Sequence, residues 1–205
     1  MDIVPPAPFL LRVGQPAEAE LRAHVERYGA YELTYAHVGA TRDALPDGWD
    51  HDQIGADIGR GDADFARAEA ALRSWRMFDL GWVRPFRHDV PLVAGEIVAF
   101  SARIFGLWTI NLCRIVYVVD DDDGVVRRLG FAYGTLPTHS VAGEEQFLVT
   151  WDRRTDVVRF SIRKFSRLHH PLVRMAAFVT RRLQRRFNTD AIAAMVAAAR
   201  GPETA

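Results

Sequence analysis

Within thirteen residues, the segment 133–145 holds the parts of an acid–base site. His139 titrates near neutrality in its ordinary state, and Glu144 or Glu145 can orient it or take its proton. Tyr133 can donate a hydrogen bond to a substrate oxygen, and Gly134 permits close backbone approach. The same residues also suit a well-capped hairpin whose polar groups satisfy its own backbone. Spacing alone leaves both readings open.

Two further groups could hold a ligand. Tyr35, Thr41 and Arg42, with Trp75 and Arg76, place arginines beside aromatics, a pattern that grips anionic heads by paired hydrogen bonds and stacking. The plainer reading makes Trp75 the core end of an amphipathic helix and Arg76 its C-terminal cap. In the segment 107–119, simple alternation puts Trp108, Ile110, Leu112, Arg114, Val116 and Val118 on one face. Asn111, Cys113, Ile115, Tyr117 and Val119 then share the other, and a strand apolar on both sides is covered twice or lines a cavity. Arg114 in such a row is costly unless paired, either with a loop carboxylate or with a ligand. Phe131, Tyr133 and Thr135 stack on one face of the next strand. The candidate ligand contacts are therefore Tyr35, Arg42, Trp75, Arg76, Trp108, Arg114, Phe131, Tyr133 and Thr135. Asp50, His51 and Asp52 lack the convergent partners that a zinc or hard-cation site needs, so no metal or cofactor is expected.

The elements that must position these residues read as follows. Ala17, Leu21, Val25 and Tyr28 fall on one helical face after Pro16, and Gly29 stops the helix. Tyr31, Leu33 and Tyr35 alternate with polar residues as in a short strand. Residues 43–64, with seven aspartates and four glycines, read as a loop with at most one weak strand. A second helix starts near Asp62 and carries Phe65, Ala68, Leu72 and Trp75 on its apolar stripe. Five segments (97–105, 107–119, 125–135, 144–152 and 157–165) are dense in β-branched and aromatic residues, and 78–83 is a sixth candidate strand. Their short connections force antiparallel pairing.

From 171 to about 199 nothing breaks a helix. Leu172, Ala176, Val179, Leu183 and Phe187 form its apolar stripe, opposite Arg174, Arg181 and Arg185. At about 1.5 Å per residue such a rod spans the width of a domain of this size. Phe178, Ile192 and Val196 sit on the arginine side and imply a second contact, for which another copy of the chain in a homodimer is one partner. His169 and His170 before Pro171 read as the helix start. The expected class is α+β: a curved antiparallel sheet of about five to seven strands gripping a long C-terminal helix, with two shorter N-terminal helices. That order resembles the helix-grip arrangement of START-like and Bet v 1-like proteins, in which a cavity lies between sheet and helix. A hot-dog fold also wraps a sheet around a helix, but there the helix comes early.

Composition bounds the rest. The 205 residues are 49% hydrophobic and 25% charged, with 26 basic and 26 acidic groups. Disorder and a disulfide scaffold are excluded, since Cys113 is the lone cysteine. A zero net charge gives no general argument for nucleic acid, and no run of about 18 apolar residues marks a membrane span. One unpaired thiol without a leader fits a cytoplasmic location. The chain is expected to be one domain over 1–205, with an extended segment at 1–14 and a disordered tail at 200–205. All basic side chains but Lys164 are arginine, which reads as coding bias or as anion recognition. Residues 157–189 carry nine basic groups and no acidic one, either a solvated helix face or a surface for anionic partners.

Leu33 to Arg42, Ser74-Trp75-Arg76-Met77, Gly130 to His139, Gly143 to Phe147 and Phe165-Ser166-Arg167 together resemble the uncharacterised protein family 0548, a domain-of-unknown-function group. The resemblance spans about residues 30–190 and implies no particular activity. The expected function is that of a carrier for a small apolar or amphipathic molecule. The alternatives are a cavity enzyme of cyclase, dehydratase or hydrolase type using Tyr133, His139, Glu144 and Glu145, and an interaction protein using the arginine face.

Overall fold

The structure, a computed structural model, describes residues 11–168 and 177–201. Its elements are β1 (Leu11–Val13), α1 (Glu18–Tyr28), β2 (Asp50–Arg60), α2 (Gly61–Arg73), β3 (Val83–Pro85), β4 (Ile97–Ile104), β5 (Leu107–Asp122), β6 (Val126–Thr135), β7 (Val141–Asp152), β8 (Val157–Leu168) and α3 (Ala177–Arg200). Seven strands pair antiparallel in the order β2-β8-β7-β6-β5-β4-β3 and curl into a half-barrel. Short β1 pairs with β5 at Leu107–Thr109, beyond the point where β6 ends. The class is α+β.

Tight turns enforce the meander. Phe105 and Gly106, both at positive φ (48° and 84°), join β4 to β5 as a two-residue turn whose twist matches its strands. Asp123 closes the β5–β6 turn by accepting from the backbone N–H groups of Val125 and Val126.

Four elements differ from the sequence reading. β2 is an eleven-residue strand where aspartate and glycine argued for a loop. Among the described residues it is an edge strand paired only with β8, a position that tolerates charged residues which would be unfavourable in a central strand. Residues 31–35 form no strand; Thr34 N–H donates to the Thr135 carbonyl (3.0 Å), and side-chain bonds of Thr34, Tyr35 and Arg114 also tie the segment to the sheet. The 78–83 segment yields a 3-10 turn at Arg76–Phe78, and strand structure begins only at Val83. The carboxylate at the start of α2 is Asp64, which accepts from Arg60 N–H at 2.8 Å, rather than Asp62.

Helix α3 packs on α2, β2 and the Arg76–Phe78 turn. Leu172, Arg174, Ala176 and the His169–Pro171 start lie outside the described residues, as do 1–10 and 202–205. The remaining stripe, Val179, Leu183 and Phe187, passes to Asn188, Ala191, Met195 and Ala199, which are buried. Four-residue steps overshoot one helical turn by about 40°, so a long helix shifts its contact line along its length. Ile192 and Val196 find their second contact in the chain's own core, and Phe178 is 76% exposed. Among the described residues, no helix is long and apolar enough to cross a membrane.

Candidate functional site

Sheet register creates the central feature. Tyr133 on β6 lies opposite Glu145 on β7, Glu145 opposite Lys164 on β8, and Lys164 opposite Asp52 on β2. Four polar residues thus form one row across four strands, next to the apolar row Phe131–Phe147–Ile162. Their side chains connect. Tyr133 OH donates to Glu145 Oε2 (2.7 Å), and Lys164 Nζ donates to Glu145 Oε1 (3.0 Å) and to Asn188 Oδ1 (2.7 Å). Asn188, brought in by α3, donates through Nδ2 to Asp52 Oδ2 (2.6 Å). Lys164 is the only lysine of the chain and is 6% exposed. Burial, and then the neighbouring Glu145 charge, push the Tyr133 phenol well above its ordinary pKa, so it remains a donor.

Tyr133, Glu145 and Lys164 of this row line a cleft of about 380 Å³. Phe78, Trp82 and Phe100 wall one side, and Val179, Leu183 and Phe187 of α3 another. The tip of the β4–β5 hairpin borders it too, with Phe105 84% exposed. Most of its surface is apolar, and the volume is within the roughly 300–1,000 Å³ range of small-molecule sites.

His139 also lines the cleft, edge-on to Phe100 with centroids 5.7 Å apart. Its Nδ1 lies 3.2 Å from Val141 N and 3.1 Å from the Val141 carbonyl. A neutral ring accepts from the N–H. Burial lowers its pKa from 6.5 to about 4, the carbonyl offsetting only part of that cost, so the ring is uncharged at neutral pH. The unfolded ring binds its proton near 6.5 and the folded ring only near 4. Between those values the unfolded state holds more protons, and stability falls as pH falls. Denaturant unfolding is expected to lose up to about 3 kcal/mol from pH 7 to pH 4 through this part-buried group. The difference in slope between the wild type and His139→Gln measures it, and identical slopes would contradict it.

Glu144 borders the cleft, but its carboxylate serves another purpose. It accepts from Tyr35 OH and Gly39 N–H (both 2.7 Å), Thr41 N–H (2.9 Å) and Thr41 Oγ1 (2.5 Å). Among the described residues it forms no ion pair. Gly134, opposite Glu144 in the β6–β7 register, makes room: a Cβ there would meet Tyr35 OH at 2.2 Å. Glu144 therefore pins the 35–41 loop to the sheet with every carboxylate oxygen engaged.

The other sequence candidates scatter. Tyr133, Thr135, His139, Glu144 and Glu145 line the cleft. Tyr35 belongs to the Glu144 anchor, and burial with the adjacent Glu144 charge raises its phenol pKa. Arg42 stacks over Tyr117 at 3.9 Å. Trp75 is fully buried and donates to the Val90 carbonyl, and Phe131 packs on it at 4.8 Å. Arg76 pairs with Asp79 at the surface. Trp108 and Arg114 are not among the residues lining the cleft; Arg114 donates to the Gly29 and Tyr31 carbonyls, so its partner is backbone rather than a carboxylate. A register shift between Ile115 and Tyr117 also reverses the alternation. Tyr117 bonds Thr41 and Gln146, away from the core face that holds Cys113 and Ile115. Asp50, His51 and Asp52 turn to Arg181, the Pro46 carbonyl and Asn188 respectively.

Lys164, Asn188, Asp52 and Gln184 escaped the sequence reading as site residues. A signal existed for Lys164: Val158, Phe160, Ile162 and Lys164 alternate onto one buried face, ending in the lone lysine.

Residues 34–194 match the domain of unknown function DUF1990. The chain belongs to this family. A UPF0548 protein of Deinococcus radiodurans is 34% identical, over 87% of this chain and 92% of its own length. A UPF0548 protein of Dictyostelium discoideum is 29% identical, over 90% of this chain and 93% of its own. One from Arabidopsis thaliana is 22% identical over 77% and 82%. The DUF1990 match contains the whole Tyr133–Glu145–Lys164–Asp52 row and Asn188.

Proposed function

We propose that this DUF1990 chain binds a small, electrically neutral amphipathic molecule in the cleft, gripped between the curled sheet and α3 in helix-grip fashion. The observation that carries the reading is an apolar cleft with one polar spot, the Tyr133–Glu145–Lys164 row. The hydrocarbon part of the guest lies against Phe78, Trp82, Leu183 and Phe187, and its head accepts from Lys164. Charge balance selects the head. Lys164 is already matched by Glu145, with Asp52 one residue further along the row, so an added anion would sit beside surplus negative charge away from water.

Octan-1-ol is therefore expected to bind at least about tenfold more tightly than octanoate in calorimetric titration, a difference of about 1.4 kcal/mol. Equal or reversed affinities would contradict the reading.

An enzyme reading rests on the same row, since a carboxylate between an ammonium and a phenol is equipped for proton transfer. Glu144 is not its base, because both oxygens are engaged by the 35–41 loop. The arginine face is a weaker basis for function. Arg181 pairs with Asp50 and the exposed Arg186 with Asp190, so among the described residues only Arg182 and Arg185 of that stretch are exposed arginines without an ion pair.

A further inference from the structure

We propose that Lys164 is a carbonyl-capturing amine: the cleft takes an aldehyde or ketone guest and holds it as a reversible imine on Nζ. The proposal rests on the cleft reading above and adds covalent chemistry to it.

The geometry supplies each participant. A primary amine lines an apolar cleft, fixed by two acceptors, Glu145 Oε1 at 3.0 Å and Asn188 Oδ1 at 2.7 Å. An ammonium has three donors, so the third is available to point a carbonyl oxygen of the guest toward nitrogen. Glu145 is the proton carrier, and Tyr133 OH on its other oxygen fixes the carboxylate's orientation. Asn188 is held in turn by Asp52, so the amine sits on a supported scaffold rather than a mobile stem.

The step balances without any outside reagent. Glu145 takes a proton from the ammonium, and the freed amine's lone pair attacks the carbonyl carbon. The carbonyl π pair moves to oxygen, which takes a proton from the now cationic nitrogen and gives the neutral carbinolamine. The C–O bond then breaks, the Glu145 proton completes the departing water, and nitrogen forms the C=N bond. The result is a protonated imine whose positive charge replaces that of the ammonium beside Glu145. One carbonyl is consumed, one water is released, and the charge of the row is unchanged. Apolar walls favour loss of that water, and a neutral carbonyl compound meets the same charge requirement that disfavours an anion. A purely structural ion pair would need no access to the cleft, yet Tyr133, Glu145 and Lys164 all line it.

The lone lysine makes the test clean, because the N-terminal amine is the only other primary amine in the chain. The full chain is incubated with octanal and sodium cyanoborohydride, digested, and mapped by mass spectrometry. An octyl group on the peptide containing Lys164 is expected, formed at least tenfold faster than on the N-terminus. Lys164→Arg, which keeps a cation but cannot form an imine, should lose that adduct, and Glu145→Gln should slow it at least tenfold relative to labelling of the N-terminus in the same sample. If Lys164→Arg fails to fold, the wild-type rate ratio decides alone. Labelling only at the N-terminus, or equally at both amines, would overturn the proposal. Titration with octan-1-ol separates the two claims: alcohol binding without a Lys164 adduct refutes the imine and leaves the cleft reading standing. Absence of both removes both.

Discussion

Glu144→Ala is expected to lower the free energy of unfolding by about 3–5 kcal/mol, among the largest effects of any single substitution here. The substitution strands four donors at once: the Tyr35 hydroxyl, the Gly39 and Thr41 amides, and the Thr41 hydroxyl. Thr41 and Tyr35 are buried, so water replaces the lost acceptor poorly. For a chain of this length the loss corresponds to a melting shift of roughly 6–20 °C. Glu144→Gln keeps the shape but turns an NH2 group toward donors, and about 1–3 kcal/mol is expected. Thermal unfolding followed by circular dichroism measures both. A shift below about 2 °C for the alanine variant would mean that packing alone holds the 35–41 loop.

Lys164→Met has an effect of similar size with a different cause. It leaves the part-buried Glu145 with Tyr133 as its one remaining side-chain donor among the described residues, and breaking a largely buried pair from one side costs about 3–5 kcal/mol. The double variant Lys164→Met/Glu145→Gln removes both charges. It is expected to recover at least half of that loss, because a desolvated pair gains little net stability over neutral groups of similar size. Urea unfolding of the wild type, both single variants and the double variant closes the cycle. A double variant as unstable as the sum of the singles would show that the two charges do not act on one another. A further consequence concerns binding: the double variant keeps the apolar walls and loses both charges of the polar spot, so its affinity for octan-1-ol should fall while octanoate, an unpaired anion in an apolar cleft, stays the weaker ligand.

How much of this was legible in the sequence follows from what each signal measures. The meander was readable because β-branched and aromatic density reports strands directly, and Asp-Gly chemistry reports turns. The helix stripe Phe65–Ala68–Leu72 was readable from its period. β2 was hidden because propensity describes half-buried strands, whereas an edge strand is selected partly against pairing with strangers. The inward and outward assignment along β5 failed past Val116, since one register shift flips every later side chain and leaves no mark in the sequence. Tyr133, His139, Glu144 and Glu145 border one cleft, but the two glutamates differ in role for a reason that only register shows. Adjacent strand residues face opposite ways: Glu145 joins Tyr133 and Lys164, and Glu144 joins the loop over Gly134. Lys164 needed the pairing of three strands to become a neighbour of Tyr133. Arginines that looked like anion receptors were claimed by carbonyls and aspartates nearby, as Arg114 and Arg76 illustrate.

The central claim is that the polar row at Tyr133, Glu145 and Lys164 receives the head of a neutral guest while the apolar walls take its tail. A crystal structure of the protein grown with octan-1-ol tests it most directly. The account predicts the alcohol oxygen within about 3.2 Å of Lys164 Nζ, with the chain running toward Leu183 and Phe187. Alcohol bound elsewhere on the molecule, or a cleft filled by the protein's own side chains at saturating alcohol, would contradict it.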